Sequence, residues 1–277
     1  MESKINIEDL QKVLNDTQVE PRLSNLRWEN KGDIKGRYIL IAAPPKSGST
    51  WTANVIKKSL QCRAARYCYA WSSNEHDIYV PALLANQGFC SVAQMHMKGT
   101  PHNVQLIVDF QINTILITRN IYDSLTSFAR DLMAKKDLAP QAPGLVGYSF
   151  VWTKNFNEKW LFNDFLNYAI KYYLPWYVNF LSSWSEYKDS IAAQTFRYEA
   201  IRSNPKQRFK EMIHRLNKDY NLCDRYQEQF SFRGISATNS NTSSGLSILS
   251  LDQRNTIESY FDGIENDWIR SHLRVDI

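Results

Sequence analysis

Two short stretches of this 277-residue chain carry residue types that hold anions. The first is Pro45-Lys46-Ser47-Gly48-Ser49-Thr50-Trp51. Gly48 lets the backbone turn tightly, so that successive N–H groups can face one anion. Lys46 brings a mobile ammonium, and Ser47, Ser49 and Thr50 bring three hydroxyls. Each charge-assisted hydrogen bond to a phosphate is worth roughly 1.5–3 kcal/mol, so such a loop can dominate the binding of a nucleotide. A nucleotide-triphosphatase loop would read GxxxxGK followed by Ser or Thr; here the lysine precedes the glycine. The second stretch is Arg119-Asn120-Ile121-Tyr122-Asp123, with Ser127 eight residues after the arginine. Arg119 can grip a phosphate with a two-pronged guanidinium, or merely pair with Asp123 at the surface for little gain.

Both stretches follow apolar runs of strand length. Tyr38 to Ala43 precedes the first and Thr114 to Thr118 the second, each read as a strand buried on both faces of a parallel sheet. A third strand is predicted over Ala193 to Phe196, with Tyr198 just beyond it. Between them lie helices. Ala53, Ile56 and Leu60 share a face over Trp51–Leu60, Thr100 caps a helix that starts at Pro101, and another helix carries Ser127 and Phe128. A basic helix follows Pro205 and runs through Met212 and Leu216. The alternation predicts an α/β fold, a single domain over 1–277 with a central parallel sheet flanked by helices. Ligands in such folds sit at the carboxyl ends of the strands, where Lys46, Arg119 and Tyr198 all fall. Residues 1–35, with Ile7, Leu10, Val13 and Leu14 at helical spacing, read as a peripheral segment, and Ser236 to Ser250 as a polar loop.

In these motifs the chain resembles the cytosolic sulfotransferase family over about residues 36–215. The family's 5′-phosphosulfate loop reads PKSGTTW, against which only Ser49 differs. Its second signature is a strand ending in Arg, then Asn-Pro-x-Asp, with a serine eight residues after the arginine; here only the proline is missing. The resemblance implies the P-loop-like sulfotransferase fold and 3′-phosphoadenosine 5′-phosphosulfate (PAPS) as co-substrate, with no metal. Arg119 and Ser127 would then hold the 3′-phosphate, Lys46, Ser47, Gly48, Ser49 and Thr50 the phosphosulfate, and Trp51 and Tyr198 the adenine. Trp51 also reads equally well as a core aromatic. Gln94-Met95-His96-Met97-Lys98-Gly99-Thr100-Pro101 looks like the family's Lys-Thr-His-Leu-Pro stretch, which makes His96 the general base and Lys46 its catalytic partner, neutralising charge on the departing nucleotide. His102 is a nearby competitor that faces away. Gln94 stands where the family has lysine, and Lys98 is the residue able to replace that charge. The family's C-terminal Arg-Lys-Gly element has no clear match; Phe232-Arg233-Gly234 and Asn239 to Gly245 are candidates to replace it.

Composition narrows the partners. Lys and Arg total 33 against 28 Asp and Glu, a net charge of +5, enough to favour a small polyanion but short of the dense basic face of a nucleic-acid binder. The expected partner is a small-molecule acceptor, with no nucleic acid and no membrane. The charged first residues lead into no apolar run, so a cytoplasmic protein is expected, with Cys62, Cys68, Cys90 and Cys223 as free thiols and no metal site. Tyr148, Phe150, Trp152, Phe156, Trp160, Phe162 and Phe165 read as an apolar lid or as an amphipathic packing helix, and Glu75, His76 and Asp77 as residues able to meet a cationic substrate. The chain is similar to bacterial enzymes of secondary metabolism, in particular those that sulfate saxitoxin-type guanidinium alkaloids in toxin biosynthesis, where a carbamoyl nitrogen can be the acceptor. A phenolic or alcohol acceptor, a P-loop small-molecule kinase and a non-catalytic nucleotide-binding module are the alternatives.

Overall fold

The computed structural model describes residues 37–69, 76–136, 157, 159–220 and 245–274. The peripheral segment 1–35, Glu75, Cys223, the aromatics Tyr148 to Phe156 and most of the Ser236–Ser250 loop lie outside them.

Strand β1 (Arg37–Ala42) is the middle of a five-stranded sheet. It pairs on one side with β3 (Cys90–Met95) and on the other with β4 (Asn113–Thr118), both parallel. Short β2 (Arg63–Ala64) closes the β3 edge and β5 (Gln194–Arg197) the β4 edge, again parallel, giving the order β2-β3-β1-β4-β5. Successive side chains of β1 point to opposite faces, and the protein has a core on each. Tyr38, Leu40 and Ala42 enter the larger one, with α2 (Val80–Leu84), α3 (Pro101–Asp109), α4 (Ile121–Lys135), α5 (Phe162–Tyr168) and α6 (Leu174–Tyr187). Ile39, Ile41 and Ala43 enter the other, formed with α1 (Ser49–Ser59), α7 (Tyr198–Ser203) and α8 (Pro205–Tyr220). Two-sided burial explains the unbroken apolar runs of β1 and β4. Each fully buried Leu or Ile adds roughly 1.5–3 kcal/mol.

The three expected strands and the capped helix are present, with ends shifted by a residue. The Thr100 hydroxyl accepts from the Asn103 amide, as expected of an N-cap. Of the expected face of the first helix, Ile56 and Leu60 are fully buried and Ala53 is partly buried against the same core, with Ser49, Thr52, Val55 and Ser59 buried beside them. Of the aromatic segment, Phe165 is fully buried in α5 and packs edge-on against Trp160, so this part is a packing helix. Between α5 and α6 the chain widens into a π-turn, Ala169–Tyr173, closed by the Leu174 amide on the Ala169 carbonyl. Pro175 follows with no N–H to continue an α-helical ladder, which accounts for the break in register.

The expectation of four free thiols is corrected. Cys62 leads into β2 and Cys90 opens β3, the pairing of Arg63 with Ser91 sets them side by side, and the two form a disulfide. Cys68 is buried. Among the described residues no helix is long and apolar enough to cross a membrane.

Candidate active site

The carboxyl ends of β1, β3, β4 and β5 lie along one edge of the sheet and carry Lys46, His96, Arg119 and Tyr198, respectively. The strand order reverses about β1, and crevices form at such switch points.

The phosphate loop is built by backbone conformation. Lys46 has φ 64° and Gly48 φ 80°. A Cβ on Gly48 would come within 2.5 Å of the Tyr198 ring, so glycine is required both by the turn and by the ring that covers it. Gly48 is the N-cap of α1 and provides no side-chain cap, which leaves the first-turn N–H groups available to an anion. The three hydroxyls are not equivalent. Ser47 is buried and donates to the Pro44 carbonyl at 2.6 Å, bracing the loop; Ser49 is buried and Thr50 exposed. Trp51 packs edge-on against Phe209, 5.1 Å between ring centres, with part of its surface still open.

Arg119 is joined to this loop directly. Its Nη1 donates to the Lys46 carbonyl at 2.8 Å, and its guanidinium lies 4.6 Å over the Tyr198 ring. The alternative pairing with Asp123 exists but is long, 3.9 Å. Arg119 Nε is buried with no hydrogen-bond partner among the described residues, an unmet donor that a bound phosphate would satisfy. Ser127 lies two turns along α4 and is partly exposed.

Sequence reasoning missed the tyrosines that fix these two loops. Tyr173, at the end of the π-turn, donates from its hydroxyl to the Pro45 carbonyl at 2.8 Å. Tyr177, one turn further, accepts from the Arg119 amide at 3.2 Å and donates to the Arg119 carbonyl. Both rings are fully buried, and burial pushes the Tyr177 phenol far above its ordinary range, which keeps it a neutral donor. Glu199, beside Tyr198, accepts from the Asn120 amide and side chain at 2.9 Å each, while Asn120 caps α4. Gly245, the last residue of the Asn239–Gly245 candidate, is seated at this helix start. Its amide donates to Asp123, and a Cβ would lie 2.4 Å from the Tyr122 carbonyl.

His96 follows β3, and its Nδ1 lies 2.8 Å from the Ala43 carbonyl. A carbonyl only accepts, so Nδ1 carries the proton and Nε2 presents a lone pair. Gln94 Nε2 stands 3.5 Å from that atom. Lys98 is directed elsewhere, its ammonium 5.9 Å from the Trp176 ring centre, so Gln94 rather than Lys98 is the neighbour of the imidazole. Burial above all pushes His96 down to about 4; the bond to Ala43 opposes this, and His76 and Lys46 add to it. His76 is buried and turned inward. Its ring stacks 5.6 Å from that of His96, and its Nδ1 accepts the His96 amide proton at 2.9 Å. It is therefore part of the support of His96, while Asp77 is exposed and holds Asn103 at 2.8 Å. His102 contacts the Ile78 carbonyl at 3.3 Å, away from the loop.

Lys46 itself reaches across to α4, where its ammonium bonds Asp131 Oδ1 at 2.9 Å; Lys135 holds Oδ2 at 2.6 Å. Among the described residues no cluster of His, Cys, Asp and Glu is grouped to hold a metal ion.

A glycine-hinged anion loop, an arginine bonded to it and a buried histidine tied to the foot of the loop thus lie together at one edge of the sheet. Residues 37–277 match the family model for the sulfotransferase domain, and the chain belongs to the sulfotransferase family: it is a PAPS-dependent sulfotransferase. Among solved structures it is similar to mouse sulfotransferase SULT7A1 complexed with PAP, at 14% identity and TM-score 0.54, covering 91% of this chain and 94% of that one. The sulfotransferase from Alicyclobacillus acidocaldarius aligns at 9% identity and TM-score 0.49, over 87% of this chain and 97% of that one. No curated protein matches the sequence.

Proposed function

We propose that this enzyme moves the sulfuryl group of PAPS to a hydroxyl or nitrogen of a small molecule in secondary metabolism, with the carbamoyl nitrogen of a saxitoxin-like guanidinium alkaloid as the first acceptor to test. The observation that carries the assignment of residues is the bond from Arg119 to the Lys46 carbonyl. It makes the two anion-binding motifs one surface, beside which His96 is tied to Ala43 at the base of the same loop.

The donor supplies an activated sulfuryl group; the protein's part is to position it and to manage charge. Arg119 and Ser127 hold the 3′-phosphate, and the Lys46–Thr50 loop with the start of α1 holds the 5′ end. Tyr198 and Trp51 flank the base. These contacts supply orientation. His96 takes the acceptor's proton at Nε2, because Nδ1 is engaged by Ala43. Lys46 places its ammonium on the oxygen where negative charge grows as the nucleotide departs.

The exposed carboxylate of Asp77 supports a cationic acceptor. A cytoplasmic setting belongs to this reading, and the Cys62–Cys90 disulfide is the observation that speaks against it, since cytosolic thiols keep such pairs reduced. The test is mass spectrometry of metabolite pools and of guanidinium alkaloids incubated with enzyme and PAPS. Products heavier by one sulfuryl group, lost in His96→Ala while bisphosphate binding stays within a few-fold, support the reading. Unchanged turnover in that variant removes His96 from the mechanism.

A further inference from the structure

Asp123, Ser127, Asp131 and Lys135 follow one another at four-residue intervals along α4 and form a stripe beside the phosphate loop. Asp131 is the one carboxylate of the stripe joined to Lys46. Its side chain is 15% exposed, and each of its two oxygens holds a different ammonium, Lys46 on Oδ1 and Lys135 on Oδ2. Burial pushes this carboxyl up, but the bond from Lys135 and the charge and bond of Lys46 together outweigh it and hold it below its usual range.

The geometry points to Asp131 as a positioning residue for Lys46: it holds the ammonium in the nucleotide-free site and releases it to the phosphosulfate when the donor arrives. This rests on the proposed role of Lys46. Two features suit an exchange. The Lys46 backbone is fixed, its carbonyl bonded by Arg119 and the preceding Pro45 carbonyl by Tyr173, so only the side chain needs to swing. Lys135 stays on Asp131 after Lys46 has left, so the carboxylate is not stranded unpaired beside an incoming polyanion, a situation that would be strongly unfavourable. The salt bridge and the donor compete for one cation, and Asp131 therefore sets back nucleotide affinity while aiming Lys46 along α4.

Titration calorimetry with adenosine 3′,5′-bisphosphate tests this in a double-mutant cycle of Asp131→Asn and Lys46→Met. Freeing Lys46 from a partly exposed ion pair is expected to tighten binding about two- to fivefold, a direction opposite to that of structural damage. The gain should vanish in the Lys46→Met background, and Asp131→Glu should restore the wild-type value. Asp131→Ser, expected to behave as Asp131→Asn, covers poor folding of the first variant. Binding unchanged or weaker on loss of the carboxylate overturns the proposal. An equal gain with and without Lys46 does so too, because it assigns the effect to simple repulsion of the anion. No heat from the wild-type protein counts instead against the nucleotide site itself.

Discussion

The depressed His96 can be tested directly, because its consequence falls in an accessible pH range. An ordinary histidine titrates near 6.5; burial brings His96 to about 4. At pH 5.5 the first would be only about 9% neutral and the second about 97%. In nucleotide-free protein carrying 13C-labelled histidine, the His96 signal, assigned by its loss in His96→Asn, should stay flat from pH 8 to 5.5. The low value also has a cost, since loading a proton at pH 7 onto a group of pKa about 4 is uphill by roughly 4 kcal/mol. Donor binding should reduce that cost. A negative charge placed about 7 Å away, at an effective dielectric near 20, favours the imidazolium by roughly 2.4 kcal/mol, about 1.7 pKa units per charge. Adenosine bisphosphate should therefore move the midpoint upward by at least about one unit. A midpoint near 6.5 in the free protein refutes the burial argument, and a downward move on binding refutes the placement of the anion beside His96.

Two substitutions probe how the loop is held. Tyr173→Phe removes the donor to the buried Pro45 carbonyl and should cost about 1–3 kcal/mol in urea denaturation. It should also weaken bisphosphate binding several-fold; a stability loss with unchanged affinity would reduce Tyr173 to a core tie. Gly48→Ala should cost about 1–2 kcal/mol from its left-handed backbone alone, with more from pushing the Tyr198 ring away. Because Arg119 rests on that ring, nucleotide affinity should fall about tenfold or more, and wild-type binding in this variant would show that Tyr198 yields without consequence.

The legible parts of this protein are those where one residue type has one physical use. The apolar runs Tyr38 to Ala43 and Ile115 to Ile117 in and beside β1 and β4 follow from burial on both faces, and Gly48 and Arg119 announce themselves by conformation and charge. β3 is not legible as a strand: Cys90-Ser91-Val92-Ala93-Gln94-Met95 mixes polar with apolar residues, although Ser91 is buried through its bond with Tyr67 and Gln94 faces His96. The same ambiguity hid the second tier of the site. Tyr173 and Tyr177 look like core aromatics in the sequence, and their rings do fill the core; only the direction of the hydroxyls, fixed by a π-turn that no periodicity predicts, makes them the props of two anion loops. Asp131 was hidden for a related reason. On an amphipathic helix, a carboxylate four residues before a lysine reads as a solvated ion pair, and its hold on Lys46 requires residues 85 positions apart to meet. Local chemistry thus identifies the groups that touch a ligand, whereas the groups that hold them are set by long-range packing. Two buried tyrosines and one doubly held carboxylate do that holding here, and variants at them should change affinity or titration without removing a reacting group.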